Sequence, residues 1–330
     1  MESTAVPSAG YAFAAVPSAP SACPLLSPQN LLILPFRLTK SVIESWRQLN
    51  DFHPQIVIGT GGYVSLPVCL AASLKGLKVV IQEQNSVPGI ANWVLSFIAD
   101  KVFVAFNSTV DSFPRNKCVV CGNPVRLSLR RNMPKVVART HFFPRAGGSE
   151  AKLVLVLGGS SGANAINIAL LNLYNLMLLE RKSLCIIWQT GVEAFHEMES
   201  LVKNHPNLIL KPFLHSMDLA YAAADLIVSR AGAMTCSEIL AAGKPSILIP
   251  SPNVAEGHQL NNASLMADLA GSRVITEDEI DSTTLRTAIE EILDNEGLMA
   301  EMSERALRSA KPNAAAEIAR HVLSLVKLPT

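Results

Sequence analysis

The chain is short of charge and of aromatic rings. Of its 330 residues, 17% are charged and 5% are aromatic, against 49% hydrophobic. The two signs of charge nearly cancel, Lys+Arg 28 to Asp+Glu 27. Without a basic excess there is no electrostatic footprint for nucleic acid. A chain this apolar can bury enough surface to fold, which excludes wholesale disorder. It has no uncharged apolar run of 18 residues, so no segment reads as a membrane span. The nearest, Tyr63 to Leu74, is too short and contains Pro67. Six cysteines occur, and Cys118-Val-Val-Cys121 has no second pair to complete a zinc set. Buried thiols in a reducing compartment fit that pattern. The first 30 residues hold neither Lys nor Arg and are rich in Ala, Ser and Pro. They lack the basic start and continuous apolar core of a secretory signal. A disordered tail, a targeting-like segment and a mis-assigned start are all open for them.

What is present is a repeated unit: a short apolar strand, a small-residue turn, then a helix. A length of 330 residues suggests about two domains. A mean hydropathy of +0.29 suits parallel sheets buried on both faces, or a surface that docks on lipid. Strands are expected near 31–34, 55–58, 78–82, 101–105 and 117–120. After a stretch of different texture come strands near 153–157, 184–188, 208–210, 226–228, 246–249 and 273–275. Helical runs separate them, including 38–49, 66–74, 90–99, 163–179, 234–242, 259–269, 282–293, 296–311 and 313–325. Strands alternating with helices of this length are βαβ units and give parallel sheets. The expected division is a tail (1–30), a first domain (31–126), a linker (127–151), a second domain (152–312) and a terminal helix (313–330) that packs back on the first domain.

Three strand-to-helix turns stand out. Gly59-Thr-Gly61-Gly62-Tyr63 follows the second strand. Gly158-Gly-Ser160-Ser-Gly162-Ala163 follows the strand at 153–157, and Ser229-Arg-Ala-Gly232-Ala233 follows the strand at 226–228. Such turns bring backbone N–H groups and the positive end of a helix against an anion. The turn at Gly158–Ala163 is not a Walker A loop, for no Lys-Ser/Thr pair follows, and it lacks the usual spacing of the dinucleotide fingerprint. On its own, a turn that only packs tightly is an equal alternative for it. Taken together, the turns of the second half favour a phosphate-bearing ligand. Leu66 to Leu77 carries Lys75 as its one charge, so lipid contact and ordinary core are both open for it.

Seven motifs follow in order: IVIGTGGYVSLP (Ile56 to Pro67), QEQNSVPGIAN (Gln82 to Asn92), GNPVR (Gly122 to Arg126), LGGSSGANAIN (Leu157 to Asn167), FLHSM (Phe213 to Met217), SRAGAMTCSE (Ser229 to Glu238) and HQLNNA (His258 to Ala263). From about Leu31 onward the chain resembles the MurG family of peptidoglycan GlcNAc transferases. The resemblance implies an α/β GT-B fold, two Rossmann-like parallel-sheet domains facing a cleft. It implies inverting transfer of GlcNAc from UDP-GlcNAc to the 4-hydroxyl of a polyprenyl-pyrophosphoryl-MurNAc-pentapeptide, with no metal and no cofactor, at the cytoplasmic face of a membrane. By motif, Ser160, Leu214, Ala233, Met234, Thr235, Glu238 and Gln259 match donor-binding positions, and Asn85 and Arg126 match first-domain residues that close on the donor. Within that set, Leu214 presents its backbone to uracil, the helix start at 233–235 receives the diphosphate, and Glu238 takes the ribose hydroxyls. Gly61, Gly62, Tyr63 and Glu83 fall on the acceptor side.

The family's GGTGGH-type opening loop has no counterpart in this sequence. The first domain is therefore expected to be incomplete, and no catalytic base is assigned. A truncated or mis-started transferase, an inactive splice form, and a chain that needs a partner to supply the missing part are the alternatives. A UDP-sugar-binding chain without transfer activity is the competing function. The Ala/Ser/Pro-rich opening suggests a plastid if the source is eukaryotic.

Overall fold

The computed structural model describes residues 2–16, 28–130, 133–145, 151–253 and 257–326. The chain forms two compact units. One comprises the chain up to Cys121 together with the segment from Ala316, and the other is Gly122–Ala315.

The first unit opens with α1 (Glu2–Ser8), a short exposed helix, and α2 (Pro28–Phe52), a single helix of 25 residues. The strand expected at 31–34 is thus absent: those residues are the second turn of α2. Among the described side chains of α2 the buried positions are Ser41, Ser45 and Leu49, spaced by four, so they share one narrow face. Both serine hydroxyls donate back into the helix, Ser41 to the Arg37 carbonyl (3.0 Å) and Ser45 to that of Ser41 (2.7 Å). Then come β1 (Ile56–Gly59), α3 (Gly62–Leu74), β2 (Lys78–Glu83), α4 (Ile90–Ser96), β3 (Lys101–Val104) and β4 (Cys118–Val120). The four strands are parallel, in the order β1-β2-β3-β4. Successive side chains alternate between two cores, as a pleated strand requires. Val79, Ile81, Val102 and Val104 pack with Cys69, Ala71 and Ala72 of α3, whereas Val80 and Phe103 face the other way. Cys118 and Cys121, three apart, fall on opposite sides. Cys118 packs on the first cluster, and Cys121 joins Val80 and Phe103 in the second. The pair does not converge on one ligand.

In the second unit α5 (Lys135–Phe142) comes first, inside the stretch expected to be a linker. Residues 131–132 and 146–150 of that stretch lie outside the described residues, as does Cys23 of the opening. α5 is held by Arg139, whose guanidinium is buried and bonds Asp225 and the Ala223 carbonyl. Lys135 reaches the same carboxylate, which also accepts the Leu153 amide (2.7 Å). A charged side chain inside a packed helix looks like linker composition until its buried partner is known.

After α5 the chain runs β5 (Lys152–Leu157), α6 (Asn164–Leu171), α7 (Tyr174–Glu180), β6 (Leu184–Gln189), α8 (Phe195–Leu201), β7 (Leu208–Lys211) and α9 (Met217–Ala223). It continues with β8 (Leu226–Ser229), α10 (Ala233–Ala242), β9 (Ser246–Leu248), α11 (His258–Ala270), β10 (Arg273–Val274), α12 (Ser282–Leu293) and α13 (Glu296–Ser309). The expected helix at 163–179 is two helices that part at Asn172 and Leu173. The sheet has six parallel strands in the order β10-β9-β8-β5-β6-β7. Its core includes Val154, Val156, Ile186, Trp188, Leu226, Val228 and Ile247 with apolar residues of the covering helices. The last helix, α14 (Ala314–Leu325), returns to the first unit, where Ile318, Val322 and Leu325 pack on Val80 and Phe103.

Candidate functional site

The strand order of the second unit locates its site. From β5 the chain builds outward through β6 and β7. It then comes back to place β8 on the other side of β5 and builds outward again through β9 and β10. The direction of winding therefore reverses between β5 and β8. In open parallel sheets the crevice for a ligand lies at such a reversal, beyond the carboxyl ends of the strands. Leu157 and Ser229, the last residues of the two strands, are register partners. The two small-residue turns thus leave the sheet side by side.

The turn after β5 is built on glycine for two reasons. A Cβ on Gly162 would sit 2.7 Å from the Thr190 carbonyl, and one on Gly191 would sit 2.2 Å from Gly162 itself. Both residues have positive φ, 99° and 87°. These glycines let the turn press on the loop after β6. Gly159 differs: it also has positive φ (83°), but a Cβ there would meet nothing within 4 Å. Gly159 and Ser161 are exposed and Ser160 is half-buried, its carbonyl accepting the Val192 amide at 3.1 Å. Neither the packing reading of this turn nor the ligand reading excludes the other. The loop packs at its base and is open at its tip.

The turn after β8 ends in Gly232, the N-cap of α10, and no side chain caps the helix. Nor does α10 carry an acidic residue in its first turn. The amides of Ala233, Met234 and Thr235 lie in that first turn, where helix N–H groups have no intrahelical acceptor. The segment is fastened on both flanks. Asn123, 3% exposed, donates to Ser237 Oγ (2.9 Å) and to the Ala233 carbonyl (3.4 Å). Asn262 donates to the Ala231 carbonyl (3.2 Å), and Arg230 is paired with Glu277 at 2.5 Å. Rigid support of this kind keeps the helix start oriented without a ligand.

One turn further along, Glu238 is half-buried, and its Oε2 accepts the Tyr221 hydroxyl at 3.0 Å. Burial raises the Glu238 carboxyl above its ordinary range, while the Tyr221 hydrogen bond and the Arg126 charge pull it back. Tyr221 is raised well above the usual phenol range, by burial first and then by Glu238. Arg126 is exposed and stands close enough to bear on both groups. Cys236, two residues earlier and on the other side of α10, is buried, which pushes its thiol up to about 12, so it is inert filling.

Leu214 is buried in the loop after β7, between exposed Phe213 and His215. Gln259 opens α11, and its Oε1 accepts the Ser251 amide at 2.9 Å, which leaves the amide nitrogen as its donor. Ser160, the 233–235 helix start, Glu238 and Arg126 thus belong to one edge of this unit. Leu214 lies in the loop after β7, and Gln259 in the first turn of α11, the helix that follows β9.

In the first unit, Gly61 is the N-cap of α3 with φ 88°, Gly62 has φ 76°, and Tyr63 is exposed. Glu83 does not present itself to a ligand. It is 1% exposed, and its oxygens accept from the Asn85 amide (3.0 Å), Asn85 Nδ2 (3.1 Å), the Gly89 amide (3.0 Å) and Asn92 Nδ2 (2.8 Å). A carboxylate with four donors is saturated. Its effect is to shape the loop that carries half-buried Asn85, whose carbonyl also accepts the Thr109 hydroxyl (3.1 Å). His53 has φ 50° just past the end of α2 and is exposed, as suits a helix terminus. Tyr221 and Asn123 were not foreseen as site residues. GNPVR contains Asn123, but only its arginine carried a role, and nothing in the spacing ties Tyr221 to Glu238. Among the described residues, no cluster of three His, Cys, Asp or Glu side chains could hold a metal. Nor is any helix among them long and apolar enough to cross a membrane.

Comparison with known proteins identifies the family and the fold. Residues 153–318 match the model of the glycosyltransferase family 28 C-terminal domain, and residues 1–104 match that of the family 28 N-terminal domain. The second match begins at residue 1, so the Ala/Ser/Pro-rich opening read as a tail falls inside it. A UDP-N-acetylglucosamine–N-acetylmuramyl-(pentapeptide) pyrophosphoryl-undecaprenol N-acetylglucosamine transferase of Salinibacter ruber is 38% identical, over 98% of this chain and 86% of the relative. The crystal structure of Acinetobacter baumannii MurG superposes with a TM-score of 0.69 at 30% identity, over 88% of this chain and 79% of that one. A Neisseria meningitidis UDP-GlcNAc 2-epimerase bound to UDP-GlcNAc has a TM-score of 0.65 at 15% identity, over 92% and 84% of the two chains, which shows a shared fold alone.

Proposed function

From the premise that this chain belongs to glycosyltransferase family 28 and is of the MurG type, we propose how its residues carry out the reaction. The enzyme transfers GlcNAc from UDP-GlcNAc to the muramyl sugar of a lipid-pyrophosphoryl-MurNAc-pentapeptide. The reversal of strand order between β5 and β8 is the observation that carries the donor site. The diphosphate sits against the amides of Ala233, Met234 and Thr235, at a helix start that has no side-chain cap and no acidic residue in its first turn. A helix end favours an anion by roughly 0.3–2 kcal/mol through its dipole, and the amide hydrogen bonds add to this. Ser160, at the open tip of the neighbouring turn, contacts the same nucleotide sugar. Glu238 accepts the ribose hydroxyls, the Leu214 backbone meets uracil, and Gln259 donates its side-chain amide to the sugar.

In the transfer step, the bond from the anomeric carbon to the β-phosphate oxygen breaks as the muramyl 4-hydroxyl oxygen bonds to that carbon from the opposite face. The hydroxyl proton leaves to a base, and UDP departs with the electron pair. The helix-start amides and the Arg126 guanidinium stabilise the charge that collects on the diphosphate. On the first unit, Gly61, Gly62 and Tyr63 at the start of α3 receive the acceptor. Asn85, held by Glu83, is the polar side chain that this unit offers to a sugar nucleotide.

Association with a membrane is peripheral, as in the family. The exposed apolar row of α4 and the turn after it supports this: Ile90, Trp93, Val94, Phe97 and Ile98 face solvent, and Trp93 and Phe97 stack edge to face at 5.4 Å. A plastid membrane as the particular compartment rests on the composition of the opening residues alone.

The test is transfer of radiolabelled GlcNAc from UDP-GlcNAc to a lipid-linked muramyl pentapeptide by the purified chain. Turnover that falls at least tenfold in Glu238→Ala, with UDP affinity falling in parallel, is the expected result. UDP-GlcNAc binding without any transfer would return the chain to the class of sugar-nucleotide binders.

A further inference from the structure

We propose that Tyr221 is a positioning residue for the sugar-nucleotide site: it holds the Glu238 carboxylate ionised and turned toward the ribose. This rests on the ribose role given to Glu238 above. The geometry that carries it is a single contact between two elements. Tyr221 lies on α9 and is 1% exposed, and its hydroxyl donates to Glu238 Oε2 at 3.0 Å. Among the described residues no donor reaches Oε1, so one oxygen is anchored inside the protein and the other is available to a ligand. A buried tyrosine hydroxyl normally finds a partner, and here the partner is a carboxylate one turn into the anion-facing helix.

The arrangement answers a physical problem. Glu238 must be half-buried to meet a ribose whose diphosphate sits at the start of α10, yet burial favours the uncharged acid. A protonated carboxyl keeps one acceptor oxygen and gains a donor, which is poorly matched to two ribose hydroxyls that both donate. A hydrogen bond from Tyr221 stabilises the charged form, and being internal it costs the ligand nothing. Because phenol donates far more readily than it ionises at neutral pH, the proton stays on Tyr221.

The titratable groups around Glu238 come from few places. Tyr221 faces it from α9, and Arg126 bears on it from the segment leading into the short turn at 127–130. Cys236, on α10 itself, bears on Tyr221. The contacts from α13 are at the far end of α10, where Leu307 and the Ser303 hydroxyl meet Gly243, and α11 contributes the neutral Asn262. The pH response of the pair is therefore that of Glu238, tuned by one neutral donor and one fixed cation.

The sign follows. The Glu238 carboxyl is raised, so affinity for a ribose is full above its titration and is lost as pH falls through it. Removing the Tyr221 hydroxyl moves that loss to higher pH. The experiment is calorimetric titration of the full chain with UDP and with 2′-deoxyuridine diphosphate across pH 5–9, in the wild type and in Tyr221→Phe. In the wild type, UDP should bind more tightly than its deoxy analogue at neutral pH. In Tyr221→Phe, UDP affinity should fall by roughly tenfold at the acidic end, the loss of one charge-assisted hydrogen bond. Its midpoint should stand at higher pH, while deoxy analogue binding changes less. Profiles that superimpose, with discrimination intact, overturn the positioning role and leave Glu238 in place. A wild type that does not discriminate between the two nucleotides overturns the ribose reading of Glu238, and this inference with it. A second measurement does not depend on Tyr221→Phe folding. In protein labelled with 3-fluorotyrosine, the buried Tyr221 resonance should titrate with Glu238 and shift on adding UDP. Glu238→Gln should abolish the titration, and a resonance that titrates unchanged in Glu238→Gln overturns the proposal.

Discussion

Single residues decide where this fold tolerates change. Gly191 and Gly162 meet backbone to backbone, and a Cβ on Gly191 would lie 2.2 Å from its neighbour's Cα. Gly191→Ala should therefore cost about 2–5 kcal/mol, from a positive-φ penalty plus overpacking, read as a lower urea midpoint. Gly159→Ala, with open space around it, should cost only its φ penalty, about 1–3 kcal/mol. The sequence pattern marks Gly159 and Gly162 alike as turn glycines and passes over Gly191, because the difference lies in what the loop after β6 brings across. The same limit hid Arg139 and Tyr221: each is explained by a partner far along the chain, Asp225 for one and Glu238 for the other. Lys244 is a further case. Burial, with Lys135 and Arg139 nearby, lowers its ammonium from 10.5 to about 8, against Asp225. Its proton donates to the Ala224 carbonyl at 2.8 Å and the Ala222 carbonyl at 3.4 Å. Between pH 8 and 10.5 the native state binds fewer protons than the unfolded chain, so stability rises with pH there. The unfolding free energy of the wild type minus that of Lys244→Met should climb across that window, and a flat difference would count against the shift.

Elements were legible where their pattern is local. All ten strands of the two sheets lie within two residues of the apolar runs that announce them, because a parallel strand buried on both faces writes itself as a continuous hydrophobic segment. The extra strand expected at 31–34 shows the cost of that rule. Four apolar residues can equally be one turn of a helix, and the face of α2 that packs is marked by Ser41 and Ser45, which carry no hydrophobic signal. α5 was missed for the opposite reason, since its anchoring residue is charged. The α4 helix carries its own prediction. Trp93 and Phe97 are 47% and 59% exposed, and each aromatic is worth about 1.5–3 kcal/mol once fully buried in an apolar phase. Trp93→Ser with Phe97→Ser should reduce co-sedimentation with phospholipid vesicles at least tenfold and leave UDP affinity in solution unchanged. Equal vesicle binding would move the membrane face elsewhere.

At the scale of the whole molecule, the sequence conveyed two α/β halves, but their borders lie elsewhere than composition suggested. The second unit begins at Gly122, so the motif Gly122 to Arg126 belongs to it and Asn123 fastens α10 from within. A Cβ on Gly122 would lie 2.4 Å from the Lys311 side chain, so the two ends of this unit close on each other. The first unit, in turn, needs α14. Val322 packs with Val80, Phe103 and Cys121, and Val322→Asp should destabilise that unit by about 2–4 kcal/mol. Scanning calorimetry should show a transition moved to lower temperature, while UDP titration of the second unit keeps its wild-type affinity. Loss of both together would mean that the two units unfold as one.

The return of α14 to the first unit also sets an order of events during synthesis. A ribosome releases Gly122–Ala315 as one uninterrupted stretch, and that half can close as soon as it has emerged. The half made earlier must wait, with the Val80 and Phe103 face of its sheet uncovered, until the last helix leaves the exit tunnel. The second unit, though translated later, is the one whose residues are all in hand first.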